Sequence, residues 1–215
     1  MSADPMDGSP RTALRSLRRF ARRPAVQERC ELCSAKLAAD HAHLVELASR
    51  RLVCACEACG ILFNTDGTAK YRRVPRRIQF LPAFQLSDVA WLSLDLPINL
   101  AFFLHSTAVG RVVAIYPSPG GATESLPPPD AWETLVEDNP ILSDLEPDVE
   151  ALLVNRLGPA HEHYRVGIDE CYKLVGLVRT HWRSMSGGTE VWKEMGRFFA
   201  DLKDRAHPVG GTAHA

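Results

Sequence analysis

Two cysteine pairs with the same gap, Cys30-Glu-Leu-Cys33 and Cys56-Glu-Ala-Cys59, are the residues of this chain best spaced for chemistry. A two-residue gap lets both thiolates of a tight turn face one ion, and two such turns supply the four sulfurs that tetrahedral Zn²⁺ takes. The 22 residues between the pairs (34–55) are enough for one strand out and another back. Gly60, directly after the second pair, tolerates the positive φ that a metal knuckle often needs. Cys30, Cys33, Cys56 and Cys59 are therefore the expected metal ligands. A closed four-sulfur site has no open coordination position and serves architecture rather than catalysis. Iron in place of zinc would make the same thiolates a rubredoxin-like one-electron carrier.

A third thiol crowds the second pair. Alternation along a strand puts Cys54 and Cys56 on one face, so either can ligate. Cys56 is preferred because Cys56-x-x-Cys59 mirrors the first pair, and Cys54 then reads as a small buried residue beside the metal. His41 and His43 lie eight and ten residues after Cys33. Nucleases of the His-Asn-His type also begin with such a pair and carry histidines on a strand, one acting as general base beside a catalytic metal. Here a following asparagine is missing, Gly60 stands where a histidine would, and no apolar helix follows the second pair. Surface histidines, or supports of the metal site, fit better. His161-Glu162-His163 is a weak chelating pattern, and Cys171 sits in an apolar helical stripe as a packing thiol. The chain has no phosphate-binding loop, dinucleotide fingerprint, nucleophile elbow or His-Glu-x-x-His motif, so no catalytic residue is nominated.

Periodicity gives the elements that must hold these residues. Residues His43–Leu47 and Arg51–Cys54 read as two strands turning at Ala48–Arg50. A hairpin with a metal knuckle beside each end is the zinc-ribbon arrangement. Upstream, Ser9-Pro10 opens a short helix with Leu14, Leu17 and Phe20 on one face and arginines around it, and Pro24 ends it. Asn64–Gly67 marks a turn before the basic run Tyr71–Arg77. Val89–Leu96 and Arg111–Tyr116 read as strands, Ile98–His105 as a strand or short helix, and Pro117–Pro129 as an exposed loop. Asp130 with Glu133 has the spacing of a capping box for a helix to about Asp138. Val149–Leu157 reads as a strand and Ile168–Trp182 as a helix. Thr189 caps a last helix striped by Val191, Met195, Phe198, Phe199 and Leu202. Strands and helices mix without regular βαβ alternation, which predicts an α+β fold. The expected organisation is a disordered start and basic amphipathic helix (1–24), a four-cysteine zinc-ribbon-like module (25–80), an α+β domain (81–206) and a disordered tail (207–215).

With 46% hydrophobic and 24% charged residues in 215, the composition is that of a globular protein with room for a core and a small satellite. Five of the six cysteines lie within residues 30–59, which suits metal-bound thiolates in a reducing compartment rather than a secreted disulfide framework. No stretch approaches the ~20 apolar residues of a membrane span. Arg18-Arg19 is not followed by the apolar segment of an export signal, so the expected location is cytoplasmic. The net charge of −1 hides a split: residues 1–80 carry 15 Lys/Arg against 8 Asp/Glu, and the remainder 10 against 18. The arginines at 11–23 and 72–77 can grip phosphates, yet the near-neutral total favours an acidic protein partner over nucleic acid.

Two stretches together are similar to a known group of proteins. One is Cys30-x-x-Cys33, His41-x-His43-Leu-Val and Cys54-x-Cys56-x-x-Cys59; the other runs from Ile168-Asp-Glu-Cys171 through Gly176 and Arg179 to Trp182 and Gly187-Gly188. They resemble an uncharacterised bacterial family whose genes tend to lie among those for high-affinity nickel–iron (NiFe) hydrogenases. The likeness spans most of residues 18–205. It lends no catalytic residues and implies an accessory, assembly or electron-handling partner of a metalloenzyme. The combined expectation is a non-enzymatic metal-binding accessory protein with Zn²⁺ on its four cysteines and a protein partner such as a hydrogenase or its maturation factors. The alternatives are an iron-bearing, rubredoxin-like electron carrier and a nucleic-acid-binding zinc-ribbon regulator using the basic amino-terminal half.

Overall fold

A computed structural model describes residues 27–64, 70–183 and 187–209. The expected amino-terminal helix at residues 9–24 and most of the turn at 64–67 lie outside the described residues. Between the cysteine pairs, the aliphatic runs form antiparallel strands β1 (Ala42–Glu46) and β2 (Arg51–Ala55). Arg50, in the left-handed region at φ 53°, completes their turn. Strand β3 (Tyr71–Arg73), taken from the basic run that periodicity leaves unassigned, pairs with the other edge of β1 and gives the order β2-β1-β3. Leu44 and Val53 sit opposite each other and pack with Leu37, Ala55, Cys30 and Cys59 into a small core of their own. The short helix α1 (Glu57–Leu62) follows β2 directly.

The larger sheet has seven strands: β4 (Ile78–Phe80), β5 (Leu100–Ser106), β6 (Arg111–Ser118), β7 (Gly121–Ser125), β8 (Glu150–Asn155), β9 (Glu162–Gly167) and β10 (His207–Pro208). Their order is β10-β4-β9-β8-β5-β6-β7, antiparallel at every step except β10–β4. Both faces are covered, which is why β5 and β8 read as continuous apolar runs rather than alternating ones. Phe102, Leu104, Leu153, Tyr164 and Val166 point to one face, where α4 (Ile168–His181) and α5 (Gly188–Arg205) supply Leu174, Val178, Val191, Phe199 and Leu202. Phe103, Ala101, Leu152 and Val154 point to the other, against Trp91 and Leu94 of the segment around α2 (Asp88–Ser93) and Leu135 of α3 (Pro129–Asp138). Each fully buried Leu or Phe contributes about 1.5–3 kcal/mol relative to exposure. The fold is mixed α and β, built as helices on both faces of a largely antiparallel sheet. Among the described residues no helix is long and apolar enough to cross a membrane.

Several elements differ from their sequence reading. Val89–Leu96 is not a strand: Ser87 caps α2 through its hydroxyl and the Ala90 amide (3.1 Å), and Trp91 and Leu94 turn inward while Val89 and Leu92 face solvent. The proline-rich stretch expected as a loop contains edge strand β7, paired with β6 from Gly121↔Ser118 to Ser125↔Ala114. Helix α3 starts at Pro129 without a side-chain cap, because Pro at the first turn needs no donor there and presets φ. Gly187, in the left-handed region (φ 85°), takes the cap position of α5 in place of Thr189.

The two sheets are fastened together where the small one ends. The Val74 amide donates to the His43 carbonyl (2.9 Å), and Val45 and Val74 join the core beneath α4. At that point Gly167 has no room for a side chain: a Cβ would lie 2.5 Å from the Pro75 carbonyl oxygen and 2.7 Å from Asp169 Oδ1. The arginines of the basic run pair within the protein, Arg72 and Arg77 with the larger body and Arg73 inside the module. Arg72 donates to the Pro147 carbonyl (2.8 Å), Arg73 pairs with Glu57, and Arg77 reaches Glu146 (2.7 Å) and Glu150.

Candidate metal centre

The first cysteine pair is a tight turn. Ser34 N–H donates to the Cys30 carbonyl (2.8 Å), Cys30 N–H to the Ala35 carbonyl (2.8 Å), and the left-handed residue is Ser34 (φ 63°). The second pair is built differently from the expected mirror-image knuckle. Cys56 is the N-cap of α1, its sulfur 3.5 Å from the Cys59 amide, and Cys59 lies in the first turn. Gly60 is helical and answers a different demand: a Cβ there would come within 3.1 Å of the Ala42 Cβ. The module therefore runs knuckle, hairpin and a short helix that starts inside the second pair and leaves Ile61 and Leu62 exposed.

The result is one cluster. A sulfur from each of Cys30, Cys33, Cys56 and Cys59 lies within 4.8 Å of the others, with Cys33 and Cys56 Sγ 3.6 Å apart. All six cysteines of the chain are free thiols. Four sulfurs at this spacing suit a thiophilic ion such as zinc or iron. Their electrostatics are uneven. Burial opposes ionisation of Cys30, yet the amides of Cys56, Cys33 and Leu32 outweigh it and bring that thiol down to about 6. Burial, and then the neighbouring sulfurs, push Cys59 up to about 12. A first thiolate forms readily and further negative charge is resisted, which is the situation a bound cation relieves. Glu31, inside the knuckle, ties it to β2 by accepting from the Cys54 amide (2.8 Å) and Arg51 (2.6 Å).

Cys54 is not part of this group. Strand β2 ends at Ala55, so the alternation that would align Cys54 with Cys56 stops where α1 begins. Cys54 is half-buried instead of buried, and it faces His43, its cross-strand partner, on the opposite side of the hairpin from Leu44 and Val53. Burial first, and then Glu31 and Glu28, raise its thiol above the ordinary value. His43 Nδ1 is 3.0 Å from Asp169 Oδ2 across the junction of the two sheets. Asp169 is held below the usual carboxylate range although burial opposes this, chiefly because His43 hydrogen-bonds to it. His41, His43, Cys54 and Asp169 all line a cleft of about 1090 Å³ between the module and the larger sheet. No signal in the linear chain announces Asp169 as a partner of His43, which stands 126 residues away.

The remaining candidates are structural. Cys171 is fully buried, and burial raises its thiol well above the ordinary value, so it is a packing residue and not a nucleophile. His163 is buried against Phe84, and burial lowers it to about 4, which keeps it neutral. His161 is exposed, and no third metal-binding donor joins the two among the described residues.

Residues 29–206, which include both cysteine pairs and the helical stripe of Cys171, match a family of unknown function, DUF5947. The chain belongs to that family. No curated protein and no solved structure matches it. In this member of DUF5947 the matched segment begins one residue before Cys30 and ends at the close of α5, so it takes in the four-sulfur cluster, the cleft and nearly all of the larger sheet.

Proposed function

We propose that the protein is a non-enzymatic, metal-binding accessory protein in which Cys30, Cys33, Cys56 and Cys59 hold one structural Zn²⁺. The observation that carries this reading is the convergence of four sulfurs from a knuckle and a helix cap to within 4.8 Å. A metal there ties two turns that share only a small core, and leaves no coordination position for substrate. The larger body is then the docking platform. The reading of a hydrogenase or one of its maturation factors as the partner rests on the resemblance of this chain's cysteine-rich stretch and its Ile168–Gly188 stretch to a bacterial family encoded near NiFe hydrogenases. Against a nucleic-acid regulator stands the pairing of Arg73 with Glu57 and of Arg77 with Glu146 and Glu150, which commits these cations to the protein's own carboxylates. Two measurements test the reading. Elemental analysis of anaerobically purified protein should give zinc at the four-sulfur site, with no visible absorbance; stoichiometric iron with visible thiolate-to-iron bands would instead establish the rubredoxin-like carrier. Affinity purification from the native host should recover a metalloenzyme subunit or maturation factor reproducibly, and recovery of nucleic acid alone would overturn the accessory role.

A further inference from the structure

The pairing register of β1 and β2 builds a second donor set on the face away from the small core. His43 stands directly across from Cys54, and His41 precedes it by two residues. One donor atom from each of His41, His43 and Cys54 lies within 4.8 Å of the others, and the two imidazole centroids are 4.7 Å apart. In both histidines Nδ1 already faces an oxygen acceptor. His41 Nδ1 is 3.0 Å from the Ala38 carbonyl, with Glu28 at 3.6 Å, and His43 Nδ1 is 3.0 Å from the Asp169 carboxylate. An oxygen acceptor there places the proton on Nδ1 and leaves the lone pair on Nε2. That is how metal-bound histidines are oriented, one nitrogen anchored by a carbonyl or carboxylate and the other free to ligate. A separate observation points to a missing ligand: the His41 side chain is only 7% exposed, and its Nε2 is buried with no hydrogen-bond partner. An orphaned buried nitrogen is costly unless something fills its lone pair.

We propose that His41, His43 and Cys54 form a second metal site, separate from the four-sulfur cluster, which binds a divalent first-row transition ion and leaves one coordination position open to the cleft. Two imidazoles and one thiolate suit Zn²⁺, Co²⁺ or Ni²⁺ and not Mg²⁺ or Ca²⁺, which take oxygen ligands. The ligating forms are the neutral imidazole and the thiolate, so binding displaces the thiol proton of Cys54 to solvent. No fourth Cys, His, Asp or Glu donor joins the group among the described residues. The fourth position of a tetrahedral ion therefore falls to water or to a group entering the cleft, as in exchangeable and reactive sites and unlike closed structural ones. Asp169, from the larger sheet's side of the junction, acts as the positioning residue for His43.

The experiment uses the full chain with its four-sulfur site loaded with one equivalent of Zn²⁺, titrated with Co²⁺ alone and followed by metal analysis and cobalt–thiolate absorbance. The wild type should take one further equivalent, which excess Mg²⁺ does not displace. His41→Gln/His43→Gln and Cys54→Ser should each lose that equivalent and keep the zinc. Asp169→Asn should weaken Co²⁺ binding about 10–100-fold while leaving the zinc and the far-ultraviolet circular dichroism unchanged, a loss that a purely structural role would not produce. Any of three outcomes would overturn the proposal: a wild type that takes no cobalt beyond the zinc, a double histidine variant that keeps both ions, or variants that lose both together. The last would show that these side chains only support the four-sulfur module.

Discussion

Cys171 and Cys54 show how residues of one type are given different work by their surroundings. Cys171 is enclosed between α4 and the larger sheet, with no exposed surface and a thiol raised by burial and by the nearby carboxylates of Asp169 and Glu170. Cys171→Ala is expected to cost about 1 kcal/mol in urea unfolding through the small cavity it leaves, with metal content unchanged. Cys171→Asp is expected to unfold the larger body by burying an unpaired charge. Native-state alkylation at neutral pH should leave Cys171 unmodified, and rapid labelling would show a reactive thiol that this packing does not explain. At this scale the sequence was informative where chemistry is local. The two Cys-x-x-Cys pairs and the apolar spacing around Cys171 are visible within a few residues of each thiol. The matching spacing also favours Cys56 over Cys54, but the turning of Cys54 toward His43 was not visible, because it depends on a strand ending at Ala55 and a helix cap starting one residue later.

At the scale of elements, two groups at or near the junction between the sheets are held without slack. Gly167 ends β9 under the Pro75 carbonyl, and Gly167→Ala would push a methyl group against backbone that cannot turn aside. We expect a loss of about 1–3 kcal/mol, measured by denaturant unfolding, together with altered chemical shifts for His43. On β8, Glu150 has no exposed side-chain surface and is held by Arg77, Arg165 (2.6 and 3.0 Å) and the Glu146 amide (3.0 Å). Burial alone would raise this carboxyl, but Arg77 and then Arg165 hold it below the ordinary carboxylate range. Because the folded value is lowered, its contribution to stability is fully present above the unfolded value near about 4.3 and is lost as pH falls through the folded value. Glu150→Ala should therefore destabilise by about 3–5 kcal/mol at neutral pH, since it strands the buried Arg165 charge. The difference from wild type should shrink steadily below about pH 4; a constant difference across that range would contradict the ion pairing. Strands with strong β-branched character and the two long helices could be read from periodicity. Helix α2 could not, because its Val89 and Leu92 are exposed and mimic an apolar strand, and β7 could not, because Pro and Gly around it signal a loop while pairing with β6 supplies its order.

Over the whole molecule, stability is divided unevenly. The larger sheet is packed on both faces, whereas the cysteine module has a core of six buried residues, two of them the candidate ligands Cys30 and Cys59. On the proposed function, metal binding is folding free energy for the module and not for the body. Chelation should open residues 27–64 to protease while the segment from β4 to α5 stays resistant; a module equally resistant without metal would show that its core suffices alone. The α+β class and the convergence of the four cysteines were legible from composition and cysteine spacing, but the long-range closure through His43, Asp169 and Glu150 was not, since it joins side chains brought together only by the sheet order. The metal content of purified full-length protein, compared with that of its Cys56→Ser variant, tests the four-sulfur site itself. Zinc bound at the four-sulfur site should be lost on that single substitution and retained in Cys54→Ser. A Cys56→Ser protein that keeps that zinc, or a Cys54→Ser protein that loses it, would contradict the assignment of the site.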